Sequence, residues 1–264
     1  MRTKIVLLIL LLIPSTLFPQ GTDETSGASR YDSYAGKTSM GPSIVASTSW
    51  VGAIAEAAGA EDVLVLAPIE LRHPPEYDFS PQDIIKASQA DLLLWAGYEG
   101  FMKKLRQAAE ISEHKLIQVQ TNNAPDKLSE SVKAMAELLG TQTRFALWNE
   151  RLEKLASSLQ EGASFKKAGA TTVAVQFHQQ AIARYLGYDV VAVFGPQELT
   201  MNDITHIESL DPELIIDNWH SPQGLPFEKE DRGYVQLINF PGPFATSTLL
   251  EVLAYNGKVL GLID

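Results

Sequence analysis

From residue 44 onward, short apolar runs alternate with longer amphipathic stretches, the pattern of α/β domains with mostly parallel sheets. In the first part of the chain, residues 43–47, 63–67, 91–96 and 115–120 predict strands. Residues 50–58, 80–88 and 100–109 predict helices between them. The second of these opens with Pro81 at a first-turn position, where a missing N–H is harmless. The stretch 141–165 has another character. Phe145, Leu147, Trp148, Leu152, Leu155 and Leu159 recur at helical spacing, with no Gly or Pro until Gly162. A helix of that length spans on the order of 30 Å, about one domain diameter. Alternation then restarts, with strands at 172–177, 189–194, 214–218 and 234–239 and helices at 179–186, 202–210 and 245–255. Asp211-Pro212 stops the second of those helices. The fold class read from this pattern is α/β: two α/β lobes with mostly parallel sheets, residues 42–140 and 167–264, joined by one long rigid helix at 141–166. An amphipathic helix inside a single domain is the other reading of the long stretch.

The start of the chain breaks the pattern. Arg2 and Lys4 precede an unbroken apolar run at residues 5–13, which Pro14 ends. Such a run is too short to span a bilayer core of roughly 30 Å as a helix, and it fits the core of a secretory signal peptide. The expected signal covers residues 1–21, with cleavage between Phe18 and Gly21, and the polar stretch 22–41 reads as a flexible leader. The chain has no Cys, so disulfides, thiolate metal ligands and a lipid-attachment cysteine are all ruled out. A soluble protein in the periplasm or outside the cell is expected. Acidic residues outnumber basic ones 32 to 21, a formal net charge of -11, which argues against nucleic acid as a partner.

Ligands of open α/β sheets bind beyond the carboxyl ends of the strands. His73 lies in the loop after the 63–67 strand, within L-R-H-P-P-E-Y; His178 directly follows V-A-V-Q-F, and His220 directly follows L-I-I-D-N-W. One comes from the first lobe and two from the second, so a cleft between lobes would bring them together. His114 precedes its strand and His206 sits inside a charged helical stretch, so both read as surface residues. Three imidazoles with one oxygen donor make a common zinc shell. Glu76, Glu99, Asp217 or water are the candidate oxygen donors. Asp217, three residues before His220 in an extended segment, points to the opposite face unless the strand bends, and otherwise orients a histidine from behind.

At these residues the sequence resembles the zinc/manganese-type (cluster A-I) metal-binding solute-binding proteins of ABC importers. The segments that carry the likeness are A-S-T-S-W-V at 46–51, H-P-P-E-Y at 73–77, A-D-L-L-L-W-A-G-Y-E at 90–99, F-M-K-K-L at 101–105 and F-H-Q-Q-A-I-A-R-Y-L-G-Y at 177–188. It covers roughly residues 43 to 260. The resemblance implies two lobes on one long helix with the metal held between them, His73 matching the family's first histidine ligand and His178 its third. Where the family carries its second ligand the chain reads Q-T-N-N-A-P at 120–125, and near the family's late aspartate it has Asn239. The family's His-rich acidic loop is missing too. His220 is not supplied by the resemblance and is expected to replace a lost ligand.

The expected function is capture of a transition metal, zinc foremost and manganese or another divalent ion otherwise, and delivery to an ABC importer permease by a monomeric protein that is not an enzyme. A metal-dependent hydrolase using Glu99 as base is one alternative, although the chain has no H-E-x-x-H, G-x-S-x-G or P-loop motif. An adhesin or a family member binding a non-metal ligand is the other. N-terminal sequencing of exported protein should give a first residue between about 17 and 25, and a mature protein starting at Met1 overturns the signal assignment.

Overall fold

A computed structural model describes residues 41–264; the expected signal and leader lie outside the described residues. The chain runs β1 (Ile44–Ala46), α1 (Ser49–Ala57), β2 (Val63–Val65), α2 (Pro81–Gln89), β3 (Leu92–Trp95), α3 (Gly100–Ala108) and β4 (Leu116–Gln118). Two consecutive helices follow, α4 (Pro125–Leu139) and α5 (Gln142–Phe165). The second half runs β5 (Thr172–Gln176), α6 (Gln180–Tyr185), β6 (Asp189–Phe194), α7 (Met201–Ser209), β7 (Leu214–Asn218), β8 (Gly233–Leu237) and α8 (Leu249–Val259).

Each half builds one four-stranded, wholly parallel sheet, ordered β2-β1-β3-β4 in the first and β6-β5-β7-β8 in the second. In both, the chain moves from the first strand to one side and then returns to the other. The crevice at that reversal, between β1 and β3 and between β5 and β7, is where open α/β sheets take ligands.

Local chemistry sets the helix starts. Ser80 with Asp83, Thr200 with Asp203 and Thr248 with Glu251 form reciprocal capping boxes at α2, α7 and α8. The last of these explains why α8 begins at Leu249 and reaches Val259, later than the 245–255 expected from periodicity. The strands are mostly one to three residues shorter than the apolar runs, because their carboxyl-end residues turn away from the ladder into loops. One helix, α4, is not among those expected from the sequence. Pro125 occupies its first turn, Gly140 closes it with φ 70°, and Leu128, Val132, Met135 and Ala136 line its buried side.

At 1.5 Å per residue α5 is about 36 Å long. Its buried residues Leu152, Ala156, Leu159 and Ala163 recur every three or four positions. They join a single apolar cluster that includes Ile54 of α1, Leu94 of β3, Leu128 of α4, Val173 of β5, Ile216 of β7 and Leu253 of α8. Both sheets therefore rest on one shared core, while smaller clusters fill the far face of each sheet. Polar bonds cross between the halves as well: Ser49 Oγ donates to the Pro241 carbonyl at 2.9 Å, and Asn123 Nδ2 donates to the Ile238 carbonyl at 3.3 Å. Among the described residues no helix is long and apolar enough to cross a membrane.

The close approach of α5 to the C-terminal segment depends on a missing side chain. A methyl group at Gly162 would overlap the carbonyl oxygen of Leu262. Overpacking of this kind costs about 1–3 kcal/mol, against about 1 kcal/mol gained in helix propensity. Gly162→Ala should therefore lower the unfolding free energy measured by urea denaturation, and a stabilised variant would show that the contact gives way freely.

Candidate functional site

The carboxyl-end loops of the two sheets face each other across a cavity of about 290 Å³. Thr48 follows β1, His73 follows β2 and Tyr98 follows β3; from the other side come His178 after β5, Pro196 after β6, His220 after β7 and Asn239 after β8. Trp50, Arg72, Pro74 and Phe240 complete most of the wall. The three strand-end histidines thus share one cavity. As placed, however, no group of three His, Asp or Glu side chains among the described residues is arranged to hold an ion.

His220 is the most buried of the three, with 5% of its surface exposed. Its ring stacks on Phe240 with centroids 3.6 Å apart and an interplanar angle of 10°, and it meets Trp219 edge-on at 5.1 Å. Neither ring nitrogen has a hydrogen-bond partner. Burial pushes its pKa down to about 3; the Arg72 charge adds to that shift, the Arg72 backbone carbonyl opposes it, and His73 adds a smaller lowering. The ring is held neutral, so one of its nitrogens offers a lone pair, the state a metal ligand needs. His178 keeps contact with solvent, yet the atoms packed around its ring lower its pKa, with repulsion from His73 as a second cause. His73 is half-exposed and its Nδ1 lies 3.1 Å from Glu76, which is thereby placed to orient the ring.

The other two carboxylates suggested as oxygen donors are engaged elsewhere. Glu99, fully buried at the start of α3, accepts from Ser47 Oγ at 2.5 Å and from the backbone N–H groups of Ala96 and Gly97, both at 2.9 Å. Asp217 sits at the end of β7 and accepts from the N–H groups of Asn218, Gln223 and Gly224 and from Tyr234 Oη. It closes the 218–224 loop that carries His220, and Asn218 Oδ1 takes the His220 N–H at 3.1 Å. Asp217 thus acts on the histidine through the backbone. The three asparagines near the family's ligand positions are also committed. Asn122 accepts from the Ala124 N–H just before α4, Asn123 bonds Ile238, and Asn239 accepts from Gln179 at 2.5 Å. His114, in the turn before β4, and His206, on α7, are exposed and do not line the cavity.

Three residues that the sequence reading did not single out stand beside the histidines. Trp50 Nε1 and Thr48 Oγ1 are buried without partners, and Thr48 is the N-cap of α1 yet makes no capping bond. Arg72 reaches across the mouth, donating through Nε at 2.8 Å and Nη2 at 2.5 Å to the Trp219 carbonyl, with its guanidinium 4.5 Å from the Trp219 ring centroid.

Because folded His220 stays neutral to about pH 3 while the unfolded ring titrates near 6.5, the unfolded chain binds the extra proton across that window. Stability contributed by the neutral ring is therefore full above pH 6.5 and falls as pH drops, by at most about 1.4 kcal/mol per unit. The acid limb of a stability–pH curve should be shallower in His220→Leu, and an unchanged slope would mean that the ring is not held neutral.

No family model matches the sequence, and no curated protein is similar to it in sequence. Solved structures are similar in fold. The laminin-binding protein Lmb of Streptococcus agalactiae, described as bifunctional with adhesin and metal-transporting activity, matches with TM-score 0.64 and 17% identity over 83% of this chain and 98% of its own. The solute-binding protein FpvC of Pseudomonas aeruginosa, solved with Mn²⁺, gives TM-score 0.68 and 16% identity over 83% and 96%. The periplasmic zinc-binding protein TroA of Treponema pallidum gives 0.63 and 15% over 85% and 100%. With two parallel four-stranded sheets on a shared helical core, the chain has the α/β fold of these metal-binding solute-binding proteins.

Proposed function

We propose that the protein is an extracytoplasmic binding protein that captures a divalent transition metal, zinc foremost, and delivers it as a monomer to the permease of an ABC importer. The observation that carries this reading is the convergence of His73, His178 and His220 on one cavity, with His220 neutral and both its nitrogens unpartnered. Imidazole is a good donor to zinc, and also to copper, nickel and iron. Half-exposed His73 and His178 have room to move toward an ion, while His220 is fixed by its stack on Phe240. Support also comes from the metals named for proteins of the same fold, zinc for TroA and manganese and nickel for FpvC. Glu99 and Asp217 are tied to backbone N–H groups, which speaks against a hydrolase with Glu99 as its base.

Chelator-treated protein titrated with zinc in a calorimeter tests the proposal. His73→Ala, His178→Ala and His220→Ala should each weaken binding by at least the 10–100-fold typical of losing a group that merely supports a ligand. His114→Ala and His206→Ala should leave it unchanged. Zinc at 100 times its dissociation constant should stabilise the fold by about 2.7 kcal/mol, less so at acid pH as the histidines protonate. Wild-type affinity in His220→Ala would falsify the three-histidine site.

A further inference from the structure

Five buried side-chain polar atoms lack a hydrogen-bond partner among the described residues, and four of them belong to the wall of this one cavity: Thr48 Oγ1, Trp50 Nε1 and both nitrogens of His220. Orphaned buried polar groups are rare and costly, so such a concentration marks the place of a ligand. Of the two histidine nitrogens, the one without the proton suits a metal. The indole N–H does not, because it is a donor only and requires an acceptor. Thr48 and Trp50 flank the start of α1, whose first N–H groups have no intrahelical partner, no side-chain cap and no acidic residue in the first turn. That end of the helix favours negative charge.

Charge points the same way. The guanidinium of Arg72 lines the cavity, and its hydrogen bonds go to a neutral carbonyl. A bare dication at the three imidazoles would face that positive charge with few carboxylates to offset it: Glu99 and Asp217 are held by backbone and hydroxyl donors, and exposed Glu76 is paired with His73. Volume agrees. About 290 Å³ is just under the ~300–1,000 Å³ typical of small-molecule pockets and far more than one ion fills. Trp50, Tyr98 and Phe240 supply the flat apolar surfaces that pack an organic molecule.

We infer that the cargo is the metal together with a small oxygen-donor anion of carboxylate type. The histidines hold the ion, while Trp50 Nε1, Thr48 Oγ1 and the start of α1 hold the anion, with Arg72 at the rim. The anion supplies the oxygen ligand that Glu99 and Asp217, bonded to backbone N–H groups, do not, and adds negative charge beside Arg72. This inference rests on the metal reading above and goes beyond it by naming what accompanies the ion.

Calorimetric titrations of chelator-treated protein with zinc alone, with citrate, malate or oxalate alone, and with zinc in excess of each anion separate the possibilities. At equal free zinc, at least one anion should tighten binding about tenfold or more, the equivalent of one charge-assisted hydrogen bond. Trp50→Phe and Thr48→Val should each shrink the ratio of the two affinities. Arg72→Gln, an exposed position, should do the same and guards against a core variant that fails to fold. Anions that weaken zinc binding only as far as they sequester the ion would overturn the inference and leave the metal reading intact. An anion that binds equally well without zinc would overturn the joint cargo, and the metal reading falls with it only if zinc alone also fails to bind.

Discussion

The cavity exists because a buried carboxylate gathers the turn at the end of the third strand in each sheet. Glu99 does this after β3 and Asp217 after β7. Each takes backbone N–H groups that would otherwise be unsatisfied where the chain leaves the ladder, and each takes one hydroxyl, from Ser47 or Tyr234. A buried carboxylate is tolerated only when it is fully hydrogen-bonded, and hydrogen bonds to charged groups are worth roughly 1.5–3 kcal/mol each. The two halves therefore solve one problem in the same way. Their third strands end in stiff turns that project toward each other at the reversal of strand order. Tyr98 and His220 are aimed into the cavity by these anchors, and the other loops close around them.

Much of this was legible in the chain. The alternation of apolar runs gave both sheets, and the strand-end rule selected His73, His178 and His220 over His114 and His206 for the same cavity. The helix α4 is legible too, although it is absent from the expected elements: Ala124-Pro125 and Gly140 mark its two ends, and Leu128, Val132 and Met135 carry the helical period. The roles of Glu99 and Asp217 were not legible. An acidic residue at a strand end reads equally well as a ligand or as an anchor until the backbone N–H groups around it are in place. Trp50 lay inside a recognised segment, but its unsatisfied N–H depends on which neighbours pack against it, and no periodicity records that.

Sequence identity of 15–17% with proteins of the same fold shows how little of this architecture needs particular residues. Apolar strands, capped helices and a small residue where α5 meets the C-terminal segment suffice for the scaffold. The cavity wall is far less permissive, since each polar atom there either has a partner or waits for one. The stack of His220 on Phe240 ties the two levels together, for Phe240 also packs against Trp50 from the first half, with ring centroids 5.9 Å apart.

The shared core also constrains how fast anything can leave. Swinging the halves apart would expose Ile54, Leu159, Val173 and Leu253 to water at roughly 25 cal/mol for each Å² uncovered, so wide opening is a rare event. The mouth itself is closed by much less: Arg72 clasping the Trp219 carbonyl and lying over its ring, on a solvent-exposed loop. Loops of this kind move in nanoseconds to microseconds, far faster than domain hinges. The tie between Arg72 and Trp219 can therefore loosen without disturbing either sheet.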